Sequence, residues 1–315
     1  MREMTAAEQQ DELRLHQIIV RHDPTNNDAH TGLGDCLAET ERWAEAEDAY
    51  RTALQHDDTN SNAHTGLGSC MAQTGRWAEA EDAYRTALQH DDTNSNARTG
   101  LGNCMAQTGR LSEAERAYRD AIFHDPINSS AHNGLGYVQW VRGDLADAEA
   151  SFRWSLSVED GTVVGVRLGL LLLHSGRTDE ARIVLENAPT GNVQRELLLA
   201  VSLHTSDPAR VSACLQAALA ASEHPANVRR LMTPFLRAHE RALALAAAGR
   251  GAEGATELRA ASETRTPGAL FEKPRYDLLA TIIDSADLEP ILQVWREIIT
   301  ADPHACGPWG PPTTP

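Results

Sequence analysis

Histidine and aspartate are adjacent four times in the first half of the chain, at regular intervals. The pairs are His22-Asp23, His56-Asp57, His90-Asp91 and His124-Asp125. Imidazole and carboxylate groups are ligands of transition metals, so a metal centre is the chemistry that this pattern would allow. One repeat step separates each pair from the next, which is too far to share an ion, and turns rich in Asp and Asn need no ion. We therefore expect no metal site.

The other reactive side chains have simpler interpretations. Three cysteines on an apolar helical stripe should act as small hydrophobic residues. They are Cys36, Cys70 and Cys104. Three histidines at an equivalent packing position should be partly buried. They are His30, His64 and His132. The recurring Gly-x-Gly lies within a helical pattern that no strand precedes, which excludes a dinucleotide-binding loop. The sequence has no Walker loop, HExxH motif or nucleophile elbow, and we expect no cofactor.

Composition excludes several classes of protein. The chain has 315 residues with 45 acidic and 28 basic side chains, so it lacks the basic face that nucleic-acid binding needs. Apolar runs such as Leu168 to Leu173 are far shorter than the roughly 20 residues that span a bilayer. The polar start does not resemble a signal peptide, and five dispersed cysteines do not form a disulfide framework. We expect a cytoplasmic protein, and its preference for arginine over lysine is typical of a GC-rich bacterial genome.

An internal sequence repeat organises the first half of the chain. Residues 24–57 match residues 58–91 at 27 of 34 positions, and residues 58–91 match residues 92–125 at 26 of 34. A more divergent fourth copy covers residues 126–159. A fixed period of this length predicts structural units that stack on one another.

Each copy contains two amphipathic helical patterns. In copy one the apolar stripes are Ala29, Leu33, Cys36 and Leu37, then Trp43, Ala46, Tyr50, Ala53 and Leu54. Gly75, Gly109 and Gly143 should end the first helix of their copies in the left-handed conformation. The turn before each copy supplies helix-capping Asn residues. Pairs such as Glu47 and Arg51, at i and i+4, are expected on a solvated face.

These residues resemble the tetratricopeptide repeat (TPR) pattern in period, spacing and residue type. The resemblance rests on Leu33-Gly34, Ala46, Tyr50, Ala53 and Pro24. It implies an all-α fold, a right-handed α-solenoid of antiparallel helix pairs that form a TPR superhelix. One departure is a second glycine in each first helix, Gly32 in copy one, which should cost about 1 kcal/mol of helix propensity. We expect this glycine to let a neighbouring helix approach closely.

The sequence predicts four parts. Residues 1–23 form an N-terminal capping helix, residues 24–160 hold the four repeats, residues 161–303 hold degenerate TPR-like helical pairs, and residues 304–315 form a Pro/Gly-rich tail. Residues 1–160 contain 28 acidic and 13 basic side chains, so most of the net charge of −17 belongs to the repeats. The second half either continues the solenoid or forms a separate helical domain.

Differences between the copies predict the binding face. The differences between copies one and two concentrate in the first helix and its flanks, and three of them, Asp28, Asp35 and Glu39, share a stripe away from the apolar residues of that helix. The TPR resemblance implies that this stripe lines the concave, ligand-binding groove. The predicted groove residues, copy by copy, are Asp28, Thr31, Asp35 and Glu39; Asn62, Thr65, Ser69 and Gln73; Asn96, Thr99, Asn103 and Gln107; and Asn133, Tyr137 and Trp140.

The predicted groove is acidic in copy one, rich in amides in copies two and three, and aromatic in copy four. Amides suit hydrogen bonding to an extended peptide, and an aromatic side chain is a common anchor. We expect a protein or peptide partner with a basic segment and an apolar one. Some TPR domains hold a C-terminal carboxylate with lysine on this face. Threonine takes that place here, and the only lysine is Lys273, which disfavours that binding mode.

Three functions remain open at this point. The first is a non-enzymatic scaffold or adaptor that binds a partner segment in the groove. The second is a regulatory peptide sensor, similar to bacterial quorum-peptide receptors but without a DNA-binding domain. The third is an enzyme, or an enzyme accessory subunit, with a site in the divergent half. Candidate residues there are His204, Cys214, His239 and Glu240. The sequence does not determine the oligomeric state.

Overall fold

The structure, a computed structural model, describes residues 6–159, 161–190, 192–204, 206–223, 234–263, 279 and 282–301. These residues form helices and connecting turns and contain no strand, which confirms the predicted all-α class. The helices are α1 Ala6–His22, α2 Asn27–Glu39, α3 Trp43–His56, α4 Ser61–Gln73, α5 Trp77–His90, α6 Ser95–Gln107, α7 Leu111–His124, α8 Ser129–Arg142, α9 Leu145–Val158, α10 Thr162–His174, α11 Thr178–Asn187, α12 Val193–Leu203, α13 Pro208–Glu223, α14 Pro234–Ala247, α15 Gly251–Ser262 and α16 Ser285–Ala301. The tail at 304–315 lies outside the described residues.

The chain divides into two compact units, residues 1–138 and residues 139–315, and the division falls inside α8. In the first unit α1 packs on α2, and the pairs α2/α3, α4/α5 and α6/α7 follow one another. The loops within and between these pairs are short, so consecutive helices run antiparallel. In the described part of the chain, no helix is long and apolar enough to cross a membrane.

Each first helix begins with an asparagine cap. The side-chain oxygen of Asn60 accepts a hydrogen bond of 3.0 Å from the backbone N–H of Ala63, which would otherwise have no partner in the first turn. Asn26 and Asn94 cap α2 and α6 in the same way. The turns that precede these caps explain the aspartates of the His-Asp pairs. Asp57 accepts hydrogen bonds from the backbone N–H and the hydroxyl of Thr59, and these bonds lower the pKa of its carboxyl group.

The glycines at the ends of the first helices adopt the predicted left-handed conformation. Gly75 and Gly109 both have φ of +79°, and Gly143 has +89°. Copy one has Glu41 at this position, and its φ of +62° makes it the one non-glycine residue with positive φ in the described chain. An L-residue incurs a steric penalty there that glycine avoids. The first repeat therefore carries local strain that the next three do not.

A tyrosine ring lies between two glycines at each repeat step. A Cβ atom added to Gly34 would lie 2.6 Å from the Tyr50 ring, and one added to Gly66 of the next repeat would overlap the same ring. Tyr84 makes the same contact with Gly68 and Gly100. Tyr118 makes it with Gly102 and Gly134. The second glycine of each first helix thus makes room for the tyrosine of the preceding repeat. This explains the close approach that the sequence predicts.

One expectation about charge is wrong. The glutamates of the Glu-Arg pairs are not on a solvated face, because Glu47 is only 8% exposed. Its carboxylate forms an ion pair of 2.5 Å with Arg51 on the same helix. It also forms an ion pair with Arg76, which precedes α5 in the next repeat. Glu81 makes the same two contacts with Arg85 and Arg110. The pairs therefore join successive repeats, and no sequence pattern indicated the second arginine because Glu47 and Arg76 lie 29 residues apart.

The second unit has its own apolar core. It is formed mainly by leucine, isoleucine and alanine side chains of α12 to α16. Trp140, at the start of this unit, is 9% exposed and its ring packs edge-on against Phe152. Nearby, the Ser151 hydroxyl donates a 2.7 Å hydrogen bond to the side chain of Gln139. Helices α10 to α15 occupy the ranges in which the sequence predicts degenerate pairs.

Candidate functional site

The candidate site is the face of the first helices that carries the predicted groove residues. Seven of these side chains are exposed: Asp28, Asp35, Glu39, Asn62, Asn96, Asn103 and Gln107. Five are half-buried: Thr65, Ser69, Gln73, Asn133 and Tyr137. Three are buried: Thr31, Thr99 and Trp140. The structure thus leaves accessible polar side chains on each of α2, α4 and α6.

The threonines of this face take part in bonds between repeats. The Thr31 hydroxyl donates to the carbonyl of Asn27 at 2.9 Å and accepts a hydrogen bond of 3.2 Å from the Asn60 side chain. Thr65 makes the equivalent bonds with Ser61 and Asn94. The capping asparagines Asn60 and Asn94 therefore also tie their repeats to the one before. This role was not predicted, although the recurrence of asparagine at the same position of every repeat was a usable signal.

A second interaction orients the variable position of each first helix. The Tyr50 hydroxyl donates a 2.7 Å hydrogen bond to Asp35, and the Tyr118 hydroxyl donates an equally short one to Asn103. In copy two, the hydroxyls of Tyr84 and Ser69 are 3.2 Å apart. Protein atoms packed around the Asp35 carboxyl group raise its pKa above the usual value, and the bond from Tyr50 offsets part of that rise. Buried tyrosines thus position side chains at the surface.

Copy four reverses this arrangement of residues. Phe152 replaces the tyrosine, so it has no hydroxyl to donate, and Tyr137 takes the place that Asp35, Ser69 and Asn103 hold in the other copies. In copy four the phenol side chain is therefore on the first helix, at position 137, and the buried position of the second helix holds the phenyl ring of Phe152. Because Tyr137 is half-buried, its ring is partly available at the first-helix face.

Negative charge concentrates at the first repeat. Asp28, Asp35 and Glu39 all lie on α2 and all are exposed, whereas α4 and α6 carry amides and hydroxyls at the equivalent positions. The amide of Gln9 on α1 lies 3.5 Å from the Glu39 carboxylate. A cationic segment would therefore be attracted to one end of the face and not to the middle.

Comparison with protein families covers the same part of the chain as the internal repeat. Models described as tetratricopeptide repeat match residues 26–93, 72–133 and 129–154. Residues 26–154 are tetratricopeptide repeats. The TPR resemblance seen in the sequence is thereby confirmed for this part of the chain.

Solved structures agree at the level of the fold. The structure of the APC/C hetero-tetramer Cut9-Hcn1 matches with a TM-score of 0.63 and 18% identity over 70% of this chain and 45% of that chain. PilF of Pseudomonas aeruginosa matches with a TM-score of 0.51 and 22% identity over 62% of this chain and 88% of that one. PilW, a type IV pilus biogenesis factor, matches with a TM-score of 0.51 and 17% identity over 66% of this chain and 91% of that one. No curated protein matches the sequence.

The cysteines and histidines of the TPR segment are part of its packing. Burial raises the pKa of the Cys36 thiol to about 11 and those of Cys70 and Cys104 to about 12, so all three are protonated at neutral pH. His30 is buried, its Nε2 lies 3.0 Å from the carbonyl oxygen of Pro24, and its ring stacks on His56. The packing role predicted for His30 is confirmed.

The candidate catalytic residues of the divergent half are mostly buried. Cys214, His239 and Glu240 are all less than 9% exposed, whereas His204 is exposed. Burial raises the pKa of the Cys214 thiol and lowers the pKa of His239 to about 3, so both are uncharged at neutral pH. A protonated thiol is a poor nucleophile, and the effect of burial on Cys214 outweighs the attraction of Arg210 and Arg195, which lowers the pKa of this thiol.

Proposed function

We propose that this protein is a non-enzymatic scaffold or adaptor that binds an extended segment of a partner protein along the first-helix face of its TPR repeats. TPR repeats and TPR-like structures support a protein-interaction scaffold in general. The observation that carries the finer proposal is the change in the exposed side chains from carboxylates on α2 to amides on α4 and α6, at equivalent positions of successive repeats.

The chemistry of this face favours a peptide with basic residues at one end. Asp28 and Asp35 would pair with lysine or arginine of the partner, and the amides of Asn62, Asn96 and Asn103 can both donate to and accept from an extended backbone. Tyr137 offers an aromatic surface at the far end for an apolar side chain. The net negative charge of the repeats disfavours nucleic acid as the partner. Neither membrane association nor catalysis forms part of the proposal.

A cytoplasmic location is part of the same proposal. Cys36, Cys70, Cys104 and Cys214 are free thiols buried in the helical core. Reduced cysteines packed in this way suit a compartment in which disulfides do not persist.

Charge reversal tests the binding face. The partner segment is first defined by co-purification and truncation, and its affinity for the full chain is then measured by calorimetry. The double variant Asp28→Lys/Asp35→Lys should lower the affinity about tenfold or more, because like charges facing each other cost several kcal/mol.

The matched control is Asp48→Lys/Asp82→Lys, which makes the same charge change at exposed positions of the second helices. This control should bind nearly as well as the wild type, after correction for long-range attraction by measurement at two salt concentrations. Unchanged affinity of Asp28→Lys/Asp35→Lys, or an equal loss in both double variants, would place the binding site elsewhere.

A further inference from the structure

Three metal-ligating side chains meet where the N-terminal helix packs on the first repeat. Glu12 and His16 lie four residues apart on one face of α1, and Cys36 lies on α2. One carboxylate oxygen, one imidazole nitrogen and the thiol sulfur all lie within 4.8 Å of one another. In the described part of the chain, no other group of three His, Cys, Asp or Glu side chains comes this close.

The repeat itself shows that this cluster is unusual. One repeat further along the chain, the positions equivalent to Glu12, His16 and Cys36 hold Ala46, Tyr50 and Cys70, and the next step gives Ala80, Tyr84 and Cys104. Alanine, tyrosine and cysteine at these positions are buried core residues. At the start of the stack, the cysteine is kept, but a carboxylate replaces the alanine and an imidazole replaces the tyrosine. Packing alone needs neither replacement.

The imidazole ring is held closely against α2. A Cβ atom added to Gly32 would overlap Cε1 of His16, so only glycine leaves room for the ring. The Nδ1 atom of His16 is buried and has no hydrogen-bond partner. A buried nitrogen without a partner costs free energy that a bound ion would recover. The His16 ring is thus fixed against Gly32, and its Nδ1 atom is buried without a hydrogen-bond partner.

From this cluster we infer a site for a divalent transition metal of the zinc class, formed by Glu12, His16 and Cys36. Thiolate, imidazole and carboxylate together are the ligand set that Zn²⁺ takes, and three protein ligands leave a fourth position for water. As the bond from the metal to Sγ forms, the Cys36 thiol releases its proton to solvent. The ion would fasten α1 to the first repeat. The site does not depend on the proposed peptide-binding function.

Cobalt titration of the tag-free full chain tests the site, because Co²⁺ is a spectroscopic substitute for Zn²⁺ and gives a thiolate charge-transfer band in the near ultraviolet. We expect one equivalent of Co²⁺ to produce this band and Zn²⁺ to displace it. Cys36→Ser should abolish the band. The double variant Glu12→Ala/His16→Tyr, which introduces the residues of the internal repeats and so preserves packing, should weaken binding at least about tenfold.

Cys70→Ser is the matched control, since Cys70 is buried at the equivalent position but has alanine and tyrosine as neighbours. It should keep the band and its stoichiometry. Circular dichroism verifies that each variant is folded. The absence of a charge-transfer band in the wild type would overturn the site, as would an equal band in Cys36→Ser. Equal weakening in Cys36→Ser and Cys70→Ser would also overturn it, because the effect would then be structural.

Discussion

The hydroxyl of Tyr50 donates a 2.7 Å hydrogen bond to the carboxylate of Asp35, and Tyr118 makes the same bond to the amide oxygen of Asn103. A charged and a neutral acceptor thus occupy one geometry in two repeats of the same chain. The tyrosine rings are almost fully buried, whereas the acceptors reach the surface. The two bonds have the same geometry, but the helix before Asp35 carries Glu12 and His16, whereas Ala80 and Tyr84 take the equivalent positions before Asn103.

Asp35→Asn should therefore raise the stability of the protein at neutral pH. The pKa of Asp35 is raised in the folded chain, so the ionised carboxylate is less favourable there than in the unfolded chain. Asparagine keeps the bond from Tyr50 and removes this cost. Because protonation also removes it, the advantage should shrink as pH falls through the raised pKa toward the ordinary value of 3.8. Urea unfolding of both proteins at neutral pH and at about pH 4 measures the difference. An advantage that grows on acidification would contradict the assignment.

Glu41→Gly should also stabilise the chain. Glu41 has φ of +62° at the position where the next repeats have Gly75 and Gly109. The left-handed conformation costs an L-residue roughly 1–2 kcal/mol, and the greater flexibility of unfolded glycine offsets part of the gain, so a net increase of about 1 kcal/mol in the free energy of unfolding is expected. Chemical denaturation gives this value. The reciprocal variant Gly75→Glu should lose a similar amount, and stabilisation by both substitutions would refute the strain argument.

Much of this fold follows from the sequence because the period of the repeat and the helical stripes depend only on short-range regularity. Capping residues and left-handed glycines are equally local and were predictable for the same reason. The bonds between repeats were not. Arg76 of the next repeat donates a hydrogen bond to Glu47, and the Asn60 side chain donates one to the Thr31 hydroxyl. The solvent exposure of Glu47 and Thr31 therefore depends on residues of the following repeat.

The candidate site shows the same division. Exposure of Asp28, Asn62 and Asn96 agrees with the helical stripe on which the sequence places them. The grouping of Glu12, His16 and Cys36 was not predicted, because only the His-Asp pairs that recur with the repeat suggested metal ligands. Glu12 and His16 lie in a helix that precedes the first full repeat, and they become informative only when aligned with Ala46 and Tyr50. Departures from a repeat carry more information about function than the repeated residues do.

Gly100→Ala should destabilise the chain even though alanine favours helices. Relative to glycine, alanine gains about 1 kcal/mol of helix propensity. A Cβ atom at position 100, however, would overlap Cζ of Tyr84, and a ring buried on both sides cannot move away. Overpacking of this kind costs typically about 1–3 kcal/mol, so the net change should be a loss. Thermal and urea unfolding measure it. The double variant Gly100→Ala/Tyr84→Leu should recover part of the loss, and a Gly100→Ala variant at least as stable as the wild type would show that the ring can shift.

Two asparagines that are two positions apart should behave in opposite ways. The Asn60 side chain caps α4 through Ala63 and also donates to Asn27 Oδ1 at 3.0 Å and to Thr31 Oγ1 at 3.2 Å. Asn60→Ala should therefore lower the free energy of unfolding by about 1–2 kcal/mol for the lost cap, with a further loss from the two bonds to the preceding repeat.

Asn62 is exposed, so Asn62→Ala should leave stability within about 0.5 kcal/mol of the wild type. It should instead weaken binding of the partner segment, because its amide is available to a ligand. Denaturation and calorimetry on the two single variants separate these effects. If Asn62→Ala lowered stability as much as Asn60→Ala, Asn62 would be a structural residue, and the middle of the proposed binding face would lose one of its hydrogen-bonding groups.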